Sequence, residues 1–208
     1  MRIKICGITN PEDALAAIEF GADALGFNFY QKSPRYISPA AASEIISQLP
    51  GGVMNVGVFV NSSLAEVDQI YTQSSVVYVQ LHGDETPAFV ERLADLTGAI
   101  SIKAIRVSED FDPHTALDYD VEYYLLDAAS PTAYGGTGET FNWDAALRLK
   151  PFGAKFFLAG GLTPENVAEA VRQVQPFGVD VCSGVELSKG KKDHKKLAEF
   201  IRNARNAI

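Results

Sequence analysis

Short β-rich runs alternate with amphipathic stretches along the whole chain, and this alternation limits the possible folds more than any other feature. Strand-like runs fall at 2–6, 24–29, 53–59, 76–80, 100–105, 121–127, 155–159 and 178–182. Helical patterns follow at 11–20, 39–49, 64–71, 87–96, 113–117, 142–147, 164–174 and 193–207, the fifth short and weak. The 208 residues divide into eight units of 26, enough for a strand, a turn and a short helix each. Such alternation calls for a parallel sheet with right-handed crossovers. Eight units can close into a (β/α)8 TIM barrel, an α/β fold expected here as a single domain over 1–208. An open doubly wound sheet is the alternative. No Gly-x-Gly-x-x-Gly follows the first strand, which disfavours its dinucleotide-binding version.

Local signals agree with the pattern. Asn10-Pro11, Ser38-Pro39, Thr86-Pro87 and Thr163-Pro164 each put a side-chain acceptor before a residue suited to the first helical position. Hydrophobic residues make up 47% and charged residues 21%, so the chain can fill a core and is not a disordered one. The longest apolar runs, 76–79 and 155–159, fall far short of the roughly 18 residues of a membrane helix. The opening residues 1–6 meet a turn too early for a signal peptide. Two cysteines make no disulfide framework, so a reducing cytoplasmic setting is expected. The net charge of −8 argues against nucleic acid as a partner. It leaves room for a small anion held by backbone N–H groups and a local cation.

In a barrel, chemistry belongs at the C-terminal strand ends and in the loops beyond them. In the first strand Ile3 and Ile5 share one face, Lys4 and Cys6 the other. With the isoleucines toward the helices, Cys6 points to the barrel mouth and Lys4 lies one layer below. The loop after the second strand carries Lys32 and Arg35 beside Tyr30 and Tyr36, and a guanidinium there can grip a carboxylate with two parallel bonds. His82 follows the fourth strand. Asp127 ends a hydrophobic strand, where partial desolvation would raise its pKa and suit it to general-acid work. The glycine-rich stretch from Tyr134 to Gly138 can close over a ligand or merely connect. Gly160 and Gly161 after the seventh strand, with Ser183 and Gly184 after the eighth, sit where barrels often bind phosphate. The three histidines are scattered and no Cys-x-x-Cys occurs, so no metal site is expected. Lys4 and Lys103 lie on strands and leave Schiff-base aldol chemistry open as an alternative.

Taken in order, these motifs resemble the phosphoribosylanthranilate isomerase family. The likeness rests on Lys4-Ile5-Cys6-Gly7-Ile8-Thr9, Ser33-Pro34-Arg35, Gln80-Leu81-His82-Gly83 and Leu126-Asp127. It continues through Gly135-Gly136-Thr137-Gly138, Phe141-Asn142-Trp143, Ala159-Gly160-Gly161-Leu162 and the run from Asp180 to Glu186. The resemblance implies an Amadori rearrangement of N-(5-phosphoribosyl)anthranilate in tryptophan biosynthesis, with no cofactor. It implies Cys6 as general base, Asp127 as general acid and Arg35 as the holder of the anthranilate carboxylate. It puts phosphate at Gly160, Gly161, Ser183 and Gly184, and counts His82, Gly136 and Asp180 among the substrate-binding residues. Other phosphosugar barrel isomerases and a non-catalytic sensor of phosphorylated metabolites are the competing readings. Cys182 stands where the family usually has serine. Because the first and eighth strands adjoin in a closed barrel, Cys6 and Cys182 are expected near each other, and oxidation is expected to pair them and silence the base. The partner expected is a small phosphorylated substrate, and a monomer is expected over a dimer.

Overall fold

The computed structural model describes residues 1–108, 110–128 and 143–207. Eight parallel strands close into a barrel in chain order. They are β1 Arg2–Cys6, β2 Ala24–Asn28, β3 Met54–Phe59 and β4 Tyr78–Leu81, then β5 Ile100–Val107, β6 Tyr123–Ala128, β7 Phe156–Leu158 and β8 Gly178–Val181. Closure is made by β1 against β8, with Lys4 level with Asp180 and Ile5 with Val181. The helices are α1 Pro11–Glu19, α2 Pro39–Ser47, α3 Leu64–Ser74, α4 Pro87–Thr97, α5 Pro113–Leu117, α6 Asp144–Leu147, α7 Val167–Val174 and α8 His194–Arg205. The fifth is short, five residues long, as its weak pattern foretold.

Three of the proline-marked helix starts are made as expected. The side chains of Asn10, Ser38 and Thr86 accept from the N–H groups of Asp13, Ala41 and Phe89. The fourth is corrected: α7 begins at Val167, not at Pro164. Asn166 explains the delay, since its Oδ1 accepts from Thr163 N at 2.8 Å and its Nδ2 donates to Gly161 O at 2.9 Å. Those bonds hold residues 163–166 as a turn that belongs to the loop. β4 is also displaced, starting at Tyr78 rather than Val76.

The strand period of two sorts side chains into two cores. Ile3, Ile5, Val79, Leu81, Leu126, Phe156, Leu158, Val179 and Val181 pack outward with the helices. Ala24, Met54, Val56, Ile102, Ala104, Leu125, Phe157 and Ala159 fill the interior. Tyr78, Tyr123, Phe157 and Phe177 form an aromatic floor, with ring centroids 4.9 to 6.4 Å apart. Phe157, the fully buried ring of the four, contributes roughly 1.5–3 kcal/mol. The floor shuts the N-terminal end of the barrel. Polar side chains on the same inward face, Lys4, Cys6, Gln80, Asp127 and Asp180, are therefore stacked above it toward the C-terminal mouth. Between β8 and α8 lies a small antiparallel hairpin, β9 Glu186–Ser188 and β10 Lys191–Lys192, which periodicity did not foretell.

Candidate active site

A cavity of about 380 Å³ opens at the C-terminal strand ends, within the range of small-ligand sites. Cys6, Arg35, His82, Asp127, Gly160, Gly161, Asp180, Ser183 and Gly184 all line it. Of the site residues expected from sequence, Gly136 alone lies outside the described residues.

Cys6 is buried and its thiol is free. The pleat points it inward as expected, and β2 makes room for it: a Cβ on Gly26 would come within 2.7 Å of the sulfur. A glycine inside a strand was the sequence signal for that close approach. The Cys182 thiol, also free, is its neighbour across the β1–β8 seam. The interaction with Cys182, opposed by burial and aided by Lys4, Lys192 and His82, brings the Cys6 thiol well below its ordinary range. The converse holds for Cys182: the interaction with Cys6, with burial, raises its thiol well above that range. The two cysteines expected to adjoin do so, one lysine nitrogen bonding the carbonyls of both.

Asp127 enters from β6, three strands from β1 by way of β8 and β7. Its Oδ1 accepts from Ala128 N at 2.9 Å, and its Oδ2 lies 3.2 Å from His82 Nε2. Gln80 Nε2 is 2.8 Å from the other ring nitrogen, Nδ1. An amide N–H donating there leaves Nδ1 as acceptor and puts the ring proton on Nε2, facing the carboxyl. His82 thus lines the cavity as expected, while both of its nitrogens are engaged by protein groups.

Below the thiol, Lys4 Nζ donates to Asp180 Oδ1 at 2.8 Å, and Lys4 is fully buried. Burial alone would weaken the ammonium, but Asp180 and Cys6 more than reverse this and raise the lysine. Burial, with Cys6 and Asp127 nearby, pushes the Asp180 carboxyl up to about 6 against the pull of Lys4. The second lysine of the aldol alternative is drawn elsewhere. Lys103 Nζ donates to Glu85 Oε2 and Gly83 O, each at 2.8 Å, and lines no part of the cavity.

Arg35 reaches the cavity, but one edge of its guanidinium is committed. Nε and Nη2 donate to the two oxygens of Glu186 on β9, both at 2.8 Å. Glu186 Oε1 also receives Lys192 Nζ at 3.3 Å and Gly190 N at 3.2 Å. Burial opposes ionisation of Glu186, and Arg35 and Lys192 overcome it, so the carboxyl lies below its ordinary value. Glu186 and Lys192 are the site-building residues that sequence reasoning missed. The Asp180–Glu186 motif contained the first of them without indicating its partner.

The rim is formed by the loops after β7 and β8. A Cβ on Gly184 would lie 2.0 Å from Leu162 O, so the two loops approach backbone to backbone there. Ser183–Val185 is a short 3-10 helix directly beyond β8. The expected phosphate residues thus come together on one side of the mouth, as the chain order of a closed barrel requires.

Known proteins share this fold and much of this sequence. The family model described as N-(5'phosphoribosyl)anthranilate (PRA) isomerase matches residues 3–203. The N-(5'-phosphoribosyl)anthranilate isomerase of Trichlorobacter lovleyi is 50% identical over 208 residues, all of both chains. That of Geobacter metallireducens is 51% identical over 99% of each chain. Among solved structures, phosphoribosyl anthranilate isomerase from Thermus thermophilus superposes with a TM-score of 0.92 at 37% identity, covering 100% of both chains. A phosphoribosyl anthranilate isomerase in complex with reduced 1-(o-carboxyphenylamino)-1-deoxyribulose 5-phosphate gives 0.87 at 42% identity over 99% of each chain. With a barrel, a thiol and a carboxyl at one mouth, and identity of this order along its full length, the chain belongs to the N-(5'-phosphoribosyl)anthranilate isomerase family.

Proposed function

We infer that this chain converts N-(5'-phosphoribosyl)anthranilate to 1-(2-carboxyphenylamino)-1-deoxyribulose 5-phosphate, an aldose–ketose isomerisation of tryptophan biosynthesis. The observation that carries the reading is the convergence of Cys6 and Asp127 on one cavity whose rim is the β7 and β8 loops. Turnover of phosphoribosylanthranilate generated in situ by the purified chain tests it. A chain that binds the phosphosugar and leaves it unchanged is a sensor, and one that isomerises only another phosphosugar is a different barrel enzyme.

The chemistry needs two groups in opposite protonation states. Protonated Asp127 gives its proton to the furanose ring oxygen as the C1–O bond breaks, and the nitrogen lone pair forms the C1=N iminium. That cation acidifies the C2 proton. The Cys6 thiolate takes it, and the C2–H electrons form a C1=C2 bond as the nitrogen is neutralised. The resulting enolamine tautomerises, C1 gaining a proton as the C2 hydroxyl loses one, which leaves the ketone. Only protons move between protein and substrate, so the route requires no cofactor. His82, bonded to Asp127, fixes the acid toward the cavity, and Asp180 with Lys4 fills the space under the thiol.

Arg35 is assigned to the anthranilate carboxylate, through the guanidinium nitrogen that Glu186 does not hold. Arg35→Ala is expected to raise KM by about tenfold or more, roughly 1.4 kcal/mol, with a smaller change in kcat. It also strips Glu186 of its main partner, so the variant is expected to melt earlier. Steady-state kinetics well below its Tm separate the two effects, and an unchanged KM would end the carboxylate assignment.

The phosphate is assigned to the Gly160-Gly161 and Ser183-Gly184 rim. Gly184→Ala forces the loops apart at Leu162 O, at an overpacking cost of about 1–3 kcal/mol. A lower Tm together with a raised KM for the phosphorylated substrate is the expected result. A lower Tm with KM intact would detach phosphate binding from this rim.

The ligand is a small phosphorylated molecule. No described helix is long and apolar enough to cross a membrane. A cytoplasmic, monomeric enzyme is our proposal for the setting. A Thermotoga maritima relative, 42% identical with a TM-score of 0.88 over 99% of each chain, is described as dimeric, so sedimentation equilibrium tests the monomer.

A further inference from the structure

The β9–β10 hairpin brings a buried ammonium to the thiols, and the mechanism above leaves it unused. Lys192 Nζ donates to Cys6 O at 2.6 Å and to Cys182 O at 3.2 Å, and lies 4.0 Å from the Cys182 sulfur. The residue is buried. Its backbone is pinned as well: Lys192 N donates to Asp13 Oδ2 at 2.7 Å, and Asp13 is itself held by Asn10 Nδ2 and His194 Nε2. The cation is therefore fixed against the backbone of both thiol residues.

The balance of charge shows what it does there. The ionisable groups packed around the sulfurs are Lys4 on β1, Arg35 after β2, His82 after β4, Asp127 on β6, Asp180 on β8, Glu186 on β9 and Lys192 on β10. Lys4 is matched one to one by Asp180. Arg35 and Lys192 share the single carboxylate of Glu186. Among the described residues the second group thus holds one positive charge in excess, beside a sulfur that must be negative to act. In the free chain that charge is the offset for a thiolate, and Lys192, bonded to the carbonyls of both thiol residues, is the cation fixed beside it. A hairpin brace alone would need a donor at this point and no charge, and burying an ammonium is unfavourable unless an anion offsets it.

We propose that Lys192 is a positioning residue for proton abstraction, its fixed charge keeping the Cys6 sulfur as thiolate. This rests on the isomerase reading for its purpose, and its test does not need turnover. The probe is iodoacetamide, with alkylation of Cys6 followed by peptide-resolved mass spectrometry as a function of pH in the intact chain. The wild type is expected to react with a midpoint at least one unit below the roughly 8.5 of an ordinary thiol. Lys192→Gln keeps a donor and removes the charge. It is expected to raise the midpoint by at least one unit, lowering reactivity at neutral pH about tenfold, and Lys192→Arg to restore much of it. In turnover the Gln variant is expected to lose activity at neutral pH and recover it toward alkaline pH. An ordinary midpoint in the wild type overturns the proposal without any variant. So does a Gln variant that loses activity with its midpoint unmoved, which would make Lys192 a brace. Should Lys192→Gln not fold, Lys192→Met replaces it, and the wild-type midpoint decides if neither folds.

Discussion

Asparagine at position 127 is expected to lower kcat by at least about a hundredfold while leaving the fold intact. The side chain keeps its shape and its Oδ1 can still accept from Ala128 N, as the carboxyl does at 2.9 Å. What it loses is a transferable proton. Without one, the ring oxygen must leave as an alkoxide, and a well-placed general acid is worth roughly 10²–10⁴-fold in such a step. The loss belongs to the transition state, so kcat and kcat/KM should fall together. Circular dichroism and Tm confirm the fold, and product formation measures the rate. Near-normal turnover would remove Asp127 from the mechanism and shift attention to His82, 3.2 Å from it.

The Cys6→Ser change is expected to cost as much for the opposite reason. Serine fits the space beside Gly26, yet its hydroxyl is far less acidic than a thiol whose proton is already weakened by Cys182 and the nearby cations. The C2 proton then has no base to receive it, and kcat should fall at least about a hundredfold. The pH profile carries a second check. A base acts when deprotonated, so kcat/KM should rise with pH through the Cys6 value, which lies below the ordinary thiol range near 8.5. A rising limb centred on an ordinary thiol, or a Cys6→Ser enzyme of normal rate, would exclude the sulfur as the base.

The barrel was legible because its signals are local. Alternation within β1 told Ile3 and Ile5 from Lys4 and Cys6, and the caps at Asn10, Ser38 and Thr86 marked where helices start. Chain order then put Cys6, Asp127 and the glycine loops at one end. What stayed hidden is set by pairing across the chain. Arg35 and Glu186 are 151 residues apart, and nothing local in the Ser33-Pro34-Arg35 loop reveals that its fork is occupied. The strands of the β9–β10 hairpin have three and two residues, too few for any period to register. Nothing local therefore set Lys192 apart from Lys189, Lys191, Lys195 and Lys196. Thr163-Pro164 misled because Asn166, a stronger local hydrogen-bonder, took over the turn.

The pairing of β1 with β8 has a bearing on synthesis. The base stands at residue 6, but its sulfur partner is at 182 and the ammonium beside it at 192. A ribosome must release the chain through residue 192 before those groups can meet. Stalled nascent chains that expose the first seven units but not the last should contain the reactive cysteine in an unremarkable state. Competence should arrive abruptly with the final hairpin, as if the molecule were switched on by its own completion.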